Sequence, residues 1–265
     1  DISANVSTLK NKVTSLGIGK NSYITGAYAT YVGQEIGKFY GWVYEGIART
    51  QDELDGHATQ QGANVGDCLY KDISGPNGEP DGVIDAYDQT VLGSGLPKVN
   101  FGLSTHMEYK GFDLNISTYG VLNYHVSDDI YNSLNSCYGY GNKEVGMLDA
   151  NRWSEDGSTY LSSVPRTYAA NNATLGWNDL FSSRKIQNAA YWKIANIELG
   201  YNFPDKWFGG YVSGVRLYVS AQNLYTFTGY HGYNVDYAGG TFTPGYNFCS
   251  FPSARTFMCG LHFTF

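Results

Sequence analysis

The last eleven residues read Arg-Thr-Phe-Met-Cys-Gly-Leu-His-Phe-Thr-Phe over positions 255–265. Phe257, Cys259, Leu261, Phe263 and Phe265 are apolar. Thr256, Gly260, His262 and Thr264 between them are polar or small, with Met258 the exception. A period of two is the signature of a strand with one apolar and one polar face. The same pattern recurs upstream. Val99, Phe101, Leu103, Thr105, Met107 and Tyr109 alternate with Asn100, Gly102, Ser104, His106 and Glu108. After Lys110-Gly111, Phe112, Leu114, Ile116, Thr118 and Gly120 alternate with Asp113, Asn115, Ser117 and Tyr119, which predicts a hairpin. A further strand is expected from about Ala190 to Tyr201. Its apolar face carries Tyr191, Ala195, Ile197, Leu199 and Tyr201, interrupted by Lys193, which is expected near a membrane boundary. Another runs from about Gly214 to Tyr225, with Val215, Leu217, Val219 and Ala221 opposite Arg216, Ser220 and Gln222. Weaker strands are expected near 2–10, 22–32 and 37–48. The whole reads as roughly seven to ten strands.

The long strands approach the ~9–11 residues that cross a bilayer at a tilt. Their connections have two sizes. Those at 110–111 and 204–214 are short. Those at 49–97, 123–189 and 226–253 are long and rich in Gly, Asn, Ser and Tyr. Long loops without structure are uncommon in compact soluble domains. They are ordinary on the outer side of a transmembrane barrel, whose inner turns are short.

Composition agrees. Charged residues are 15% of the 265, against a usual ~25%, and the chain holds 24 Tyr and 33 Gly. Mean hydropathy is −0.32, and no apolar run reaches the ~18 residues of a membrane helix. A barrel strand meets lipid only at every second side chain, so its mean hydropathy stays low. The net charge of −7 leaves no basic stripe for phosphates and argues against nucleic acid. No signal peptide is visible. The start at Asp1 suggests a mature form, a cleavage product or a piece of a longer protein. The four cysteines, Cys68, Cys137, Cys249 and Cys259, form no CxxC pair, and no zinc site is expected. Cys259 falls on the apolar face of the last strand.

Candidate chemistry is sparse. Residues 77–88 read Asn-Gly-Glu-Pro-Asp-Gly-Val-Ile-Asp-Ala-Tyr-Asp. Oxygen-bearing side chains at loop positions 1, 3, 5, 9 and 12, with Gly82 at 6, approach the spacing of a calcium-binding loop. The candidate ligands for Ca2+ are Asn77, Glu79, Asp81, the Val83 carbonyl, Asp85 and Asp88. Pro80 and the short Asp88 depart from that pattern, and the competing reading is an acidic turn. The five His are scattered, with His106 and His262 expected on the inward face. No hydrolase, phosphate-loop or dinucleotide motif appears. Asp128-Asp129 assigns no catalytic pair. Tyr138, Tyr140, Tyr160, Tyr168, Tyr230, Tyr233, Tyr237 and Tyr246 lie outside the expected strands. Of these, Tyr230, Tyr233 and Tyr237 are the candidate substrate contacts, because a phenol ring offers a flat apolar face with a polar tip.

Several segments, in order, resemble the SusC/RagA family of TonB-dependent outer-membrane proteins. They are Gly33–Ile47 (GQEIGKFYGWVYEGI), Gly66–Asp72 (GDCLYKD), Asp81–Asp88 (DGVIDAYD) with Gly93 and Pro97-Lys98, and Tyr109–Leu114 (YKGFDL). Asn151-Arg152-Trp153, Pro165-Arg166, Leu199–Pro204, Arg216–Leu224, Tyr230–Asn234 and Pro252–Phe257 continue the series. The resemblance covers 1–265. It implies an all-β fold, the C-terminal part of a transmembrane barrel of about 22 strands around a plug, with long extracellular loops. The plug and the TonB-engaging segment are missing from this chain. It also implies a multi-pass place in the bacterial outer membrane, among lipid and the rest of the barrel. The implied role is active import of an oligosaccharide or oligopeptide, with a SusD-like surface lipoprotein and with TonB, and no enzymatic step. Two other readings are a soluble, Tyr-rich carbohydrate-binding module and a small barrel, enzyme or adhesin, closed within this chain.

Overall fold

The computed structural model describes every residue except 18, 137–141, 146–151, 155–158, 160, 168–175, 209–212, 237–238 and 265. In chain order the elements are β1 (Ile2–Thr8), β2 (Ser22–Thr25), β3 (Tyr28–Tyr31), β4 (Lys38–Gly41), β5 (Tyr44–Ile47), α1 (Gln51–Asp55), β6 (Cys68–Tyr70), β7 (Thr90–Ser94), β8 (Val99–Tyr109), β9 (Phe112–Leu122), β10 (His125–Asp128), α2 (Asp129–Leu134), β11 (Gln187–Asn188), β12 (Tyr191–Phe203), β13 (Gly214–Thr228), β14 (Tyr246–Asn247) and β15 (Thr256–Thr264).

The long strands build one wall, a six-stranded antiparallel sheet in the order β1-β8-β9-β12-β13-β15. The β8–β9 hairpin closes on Tyr109↔Phe112. Its loop residues, Lys110 (φ 47°) and Gly111 (φ 87°), both take positive φ. That conformation matches the strand twist in a two-residue hairpin. This turn and the 204–213 connection lie at one end of the wall; the three long excursions leave from the other. β1 and β15 are its two edges and are not paired with each other. The sheet therefore does not close within the described residues, and the reading of a small self-closed barrel is set aside.

Register gathers the apolar positions on one face. Val6 faces Phe101, Thr105 faces Ile116, and Met107 faces Leu114. Leu114 then faces Leu199, Leu199 faces Val219, and Val219 faces Cys259. Phe257, Leu261 and Phe263 stand exposed on this face rather than in a core. A soluble module would cover such a patch with a second layer, which this face lacks among the described residues.

One expectation is corrected here. Between Ile194 and Asn196 the pairing shifts: against β9, Ala195 is the extra residue of a bulge on β12, and against β13 two residues, Asn223 and Leu224, stand opposite it. A one-residue insertion moves every later side chain to the opposite face. Below the bulge Ile197, Leu199 and Tyr201 face outward. Above it Trp192 and Ile194 do. Lys193 and Tyr191 turn to the polar face, where Lys193 is only 4% exposed. Lys193 thus does not interrupt the apolar face.

Aromatic rings end that face above and below. Trp192 stacks on Phe227 (centroids 5.3 Å apart), which meets Tyr225 at 4.7 Å. Toward the short turns, Phe112 meets Tyr201 at 4.6 Å, and Tyr201 meets Phe203 at 4.9 Å. Between Trp192 and Tyr201 the strand rises roughly 30 Å, or about 23 Å along the normal at a 40° tilt. That is close to the ~25 Å apolar band of outer-membrane barrels.

The weaker strands expected near 22–32 and 37–48 are present as β2 to β5, and the segments expected as loops carry β6, β7, β10, β11 and β14. A sheet β2-β3-β4-β7, the pair β5-β6 and a sheet β11-β10-β14 form a cap over the long-connection end. Phe39, fully buried, packs on Tyr28 (5.3 Å) and Phe181 (6.2 Å). A second cluster holds Cys68, Tyr70 and Ile84. A third joins cap to wall through Val121, Tyr124, Val126, Ala189, Tyr191, Tyr230 and Val235.

Facing is tested by two single arginine substitutions, one on each face of the wall. Leu199→Arg, in mid-band, is expected to lower unfolding free energy by about 2–4 kcal/mol. Asn196→Arg, on the polar face, is expected to cost under about 1 kcal/mol. Denaturant titration in liposomes reads both.

Candidate functional site: the lumen face and the cap above it

The wall's polar face is cross-linked near the short turns. Arg216 donates from Nε to Asp113 Oδ1 (3.0 Å) and from Nη2 to Asp113 Oδ2 and Glu198 Oε1 (2.7 Å). Asn202 Nδ2 donates to Asp113 Oδ1 (3.0 Å). Gly200 lies beneath this ladder, where a Cβ would stand 2.5 Å from Asp113 Oδ1 and 2.6 Å from Arg216 Nη2. His106 meets Asn115 (2.7 Å) and Glu108 (3.0 Å). His262 sits opposite Arg216. Both His therefore lie on the inward face. Arg216 faces Asn202 on β12 and reaches diagonally to Asp113 on β9 and Glu198 on β12, so these charges meet on the polar face and none enters the lipid side.

At the other end of this face, Lys193 Nζ donates to Asp236 Oδ2 (2.5 Å), and Tyr119 donates to Asp236 Oδ1 (3.2 Å). The ion pair holds segment 229–236 against the wall. Between them lies a cavity of about 170 Å³ lined by Lys193, Asn223, Thr226, Thr228, Tyr233 and Asn234, among others. Tyr233 is 64% exposed at its mouth. Tyr230 is 6% exposed and belongs to the core. Its hydroxyl donates to Asp128 and accepts from Asn247 Nδ2 (2.8 Å). Burial and the Asp128 carboxylate push that phenol well above the usual range. Tyr237 lies outside the described residues, as do Tyr138, Tyr140, Tyr160 and Tyr168. Of the three candidate contacts, Tyr233 presents its ring to solvent and Tyr230 does not.

The acidic loop is organised around the backbone. Asp88, fully buried, accepts from Ile73 N (2.7 Å), Ser74 N (3.1 Å) and Asp85 N (2.8 Å). Asp85 Oδ1 accepts from Tyr87 N (2.7 Å), which completes a reciprocal cap on the single 3-10 turn at 86–88. Asp81 Oδ1 accepts from Val83 N (3.0 Å), and Gly82, at φ 84°, makes the turn. Asn77 and Glu79 are exposed. Val83 is tied by a bridge to Thr59. Among the described residues, no three His, Cys, Asp or Glu side chains gather as a metal site.

Two polar pins in the cap escaped the sequence reading. Asp67, nearly buried, accepts a two-pronged pair from Arg166, Nε to Oδ1 (2.7 Å) and Nη2 to Oδ2 (2.9 Å). Asn178 donates to Asp67 (2.8 Å) and accepts from Cys68 N (2.7 Å). The second pin is Asp128. It caps α2 through Tyr131 N (2.9 Å) and holds both Tyr230 and Asn247. An Asp just ahead of a short helix is a cap signal legible in sequence. The Asp67–Arg166 pair spans 99 residues and left no local signal.

An open two-faced wall with aromatic belts and a cap at one end defines the class: a sector of an outer-membrane β-barrel. The comparisons agree. No family model matches the sequence. The chain is 30% identical over 279 residues to TonB-dependent receptor P3 of Formosa agariphila, covering 98% of this chain and 26% of that protein. It is 25% identical over 277 residues to TonB-dependent receptor SusC of Bacteroides thetaiotaomicron, covering all of this chain and 24% of SusC. In fold it matches a chain of the RagAB peptide transporter with a TM-score of 0.75 at 21% identity, over 98% of this chain and 26% of that one. The chain belongs to the SusC/RagA-type TonB-dependent receptors, which places it among receptors rather than enzymes. It spans about a quarter of the length of the curated relatives it matches.

Asp88 gives the test of the loop. Asp88→Ala strands three backbone donors, and a buried unpaired group costs about 1–3 kcal/mol. The expected result is faster proteolysis within 72–88 in the folded receptor.

Proposed function

We propose that this chain is the C-terminal sector of the wall and outer cap of an outer-membrane importer that takes up oligosaccharides or oligopeptides. The observation that carries the proposal is the wall itself. Its outer face is apolar and belted, its inner face is charged and cross-linked, and its long connections fold into a cap at one end. That division suits strands between lipid and a wet interior. The two unpaired edges call for further barrel strands, since hydrocarbon satisfies no backbone N–H or C=O. Family membership supports a role in TonB-dependent transport. The neighbouring RagAB, named as a peptide transporter, favours a polymeric solute and a surface lipoprotein of the SusD kind. Tyr233, at the mouth of a lumen-facing cavity, is the substrate contact proposed here. A soluble sugar-binding module accounts for the Tyr content but not for the bare apolar face.

Deletion of the full-length gene is expected to reduce uptake of labelled oligosaccharides or oligopeptides to background. Loss of TonB should do the same, and the receptor should fractionate with the outer membrane. Unchanged uptake of both solute classes, or recovery in the soluble fraction without detergent, would contradict the proposal.

A further inference from the structure

The cavity behind Tyr233 sits on a part of the wall whose facing is fixed by register. Thr226 and Thr228 pair with Lys193 and Tyr191, so all four turn to the polar face. The floor of the cavity is therefore β12 and β13, and no lining residue lies on β1 or β15, the two open edges. Segment 232–236 covers one side. It is pinned to the wall by the Lys193–Asp236 pair (2.5 Å) and by Tyr119 (3.2 Å). Ser253, in the lead-in to β15, lines the other side. That lead-in is held to β13 by Asn223 Nδ2, which donates to Ala254 O (3.0 Å).

The lining offers hydrogen bonding without free charge. Lys193 is its one ionic side chain, and the ammonium group is taken up by Asp236. The Thr228 hydroxyl is engaged as well, donating to Ala190 O (3.0 Å) and accepting from Tyr230 N (3.1 Å). Asn234 Oδ1 accepts from Asp236 N (2.9 Å), which leaves its Nδ2 as a donor. The Thr226, Ser253 and Tyr233 hydroxyls have no partner among the described residues. A hydroxyl both donates and accepts, so these groups suit the hydroxyls of a sugar ring. Tyr233 adds a flat apolar face at the mouth. A carboxylate or ammonium group entering here would meet no unpaired opposite charge, and an apolar side chain would strand the hydroxyls. The volume of about 170 Å³ is below the ~300–1,000 Å³ of sites that enclose a whole ligand. It fits one ring of a longer solute.

We propose that this cavity is a selectivity subsite for one uncharged, hydroxyl-bearing ring of an oligosaccharide. Thr226, Asn234 and Ser253 read the ring's hydroxyls, and Tyr233 meets its apolar face. The inference rests on the import role proposed above and chooses the saccharide between its two solute classes. The test is an array of neutral hexose oligomers, their uronate counterparts and oligopeptides of matched length, probed with full-length receptor in detergent. Wild type should be retained by the neutral oligosaccharides and by neither of the others. Thr226→Val keeps the side-chain shape, removes the hydroxyl and should weaken that retention by about five- to tenfold. Tyr233→Ala should weaken it by about fivefold. Heat-modifiable migration should stay that of wild type in both variants. Uronates retained as well as neutral oligomers overturn the charge selection, and variants that bind like wild type overturn the site. Oligopeptides retained in place of saccharides overturn the choice of solute and leave the importer standing. Retention by none of the three overturns the subsite, whereas the importer reading falls only with unchanged uptake in the deletion strain.

Discussion

The structure depends on one constraint. A strand in hydrocarbon must pair every backbone N–H and C=O with a neighbouring strand, while each successive side chain points the opposite way. The first half of that constraint forces an uninterrupted antiparallel ladder from β1 to β15. The second half forces the period of two. The charged groups of the wall strands are then confined to one face, where Arg216 bridges Asp113 and Glu198 across three strands. The bulge at Ala195 shows how strictly the rule is kept. Lys193 lies on the outward side by simple alternation from Tyr201. One inserted residue carries it inward to Asp236 and brings Trp192 out to the belt.

The same ion pair links wall to cap. Lys193 and Tyr119 belong to the wall; Asp236 belongs to the segment that folds back over it. Asp128 repeats the device a little higher, tying the start of α2 to Tyr230 and Asn247. Asp67 does so again between segments 99 residues apart. Asp67 and Asp128, both buried, are engaged by N–H or O–H donors or by a guanidinium, the condition under which a buried charge is tolerated. The cap is thus built from short strands and polar pins rather than from one large apolar core.

Most of the wall was legible in the sequence because alternation is a local signal. β8, β9, β13 and β15 fall close to where the pattern predicts them, and the Lys110-Gly111 turn lies where it was expected. The facing of β12 above Ala195 was not legible, since nothing local marks a one-residue insertion in a strand. Part of the cap, β2 to β5, was expected as weaker strands, and the rest was missed for a related reason. β6, β10, β11 and β14 are two to four residues long, too short for any period to show. Their pins join residues distant in sequence. The acidic loop has the spacing of a cation loop, and Asp85 and Asp88 accept from backbone donors there, a use that side-chain spacing alone does not show. Of the tyrosines, only burial separates Tyr230, which packs in the core, from Tyr233, which does not.

The most direct measurement is a spin-label scan of positions 190–203 in the full-length receptor reconstituted in lipid. Collision with oxygen reports hydrocarbon, and collision with a water-soluble nickel chelate reports the lumen. Oxygen maxima are expected at 197, 199 and 201, with a break at 195 and maxima at 192 and 194 above it. An unbroken alternation through 195, or low access to both probes along the whole strand as in a compact soluble core, would contradict it.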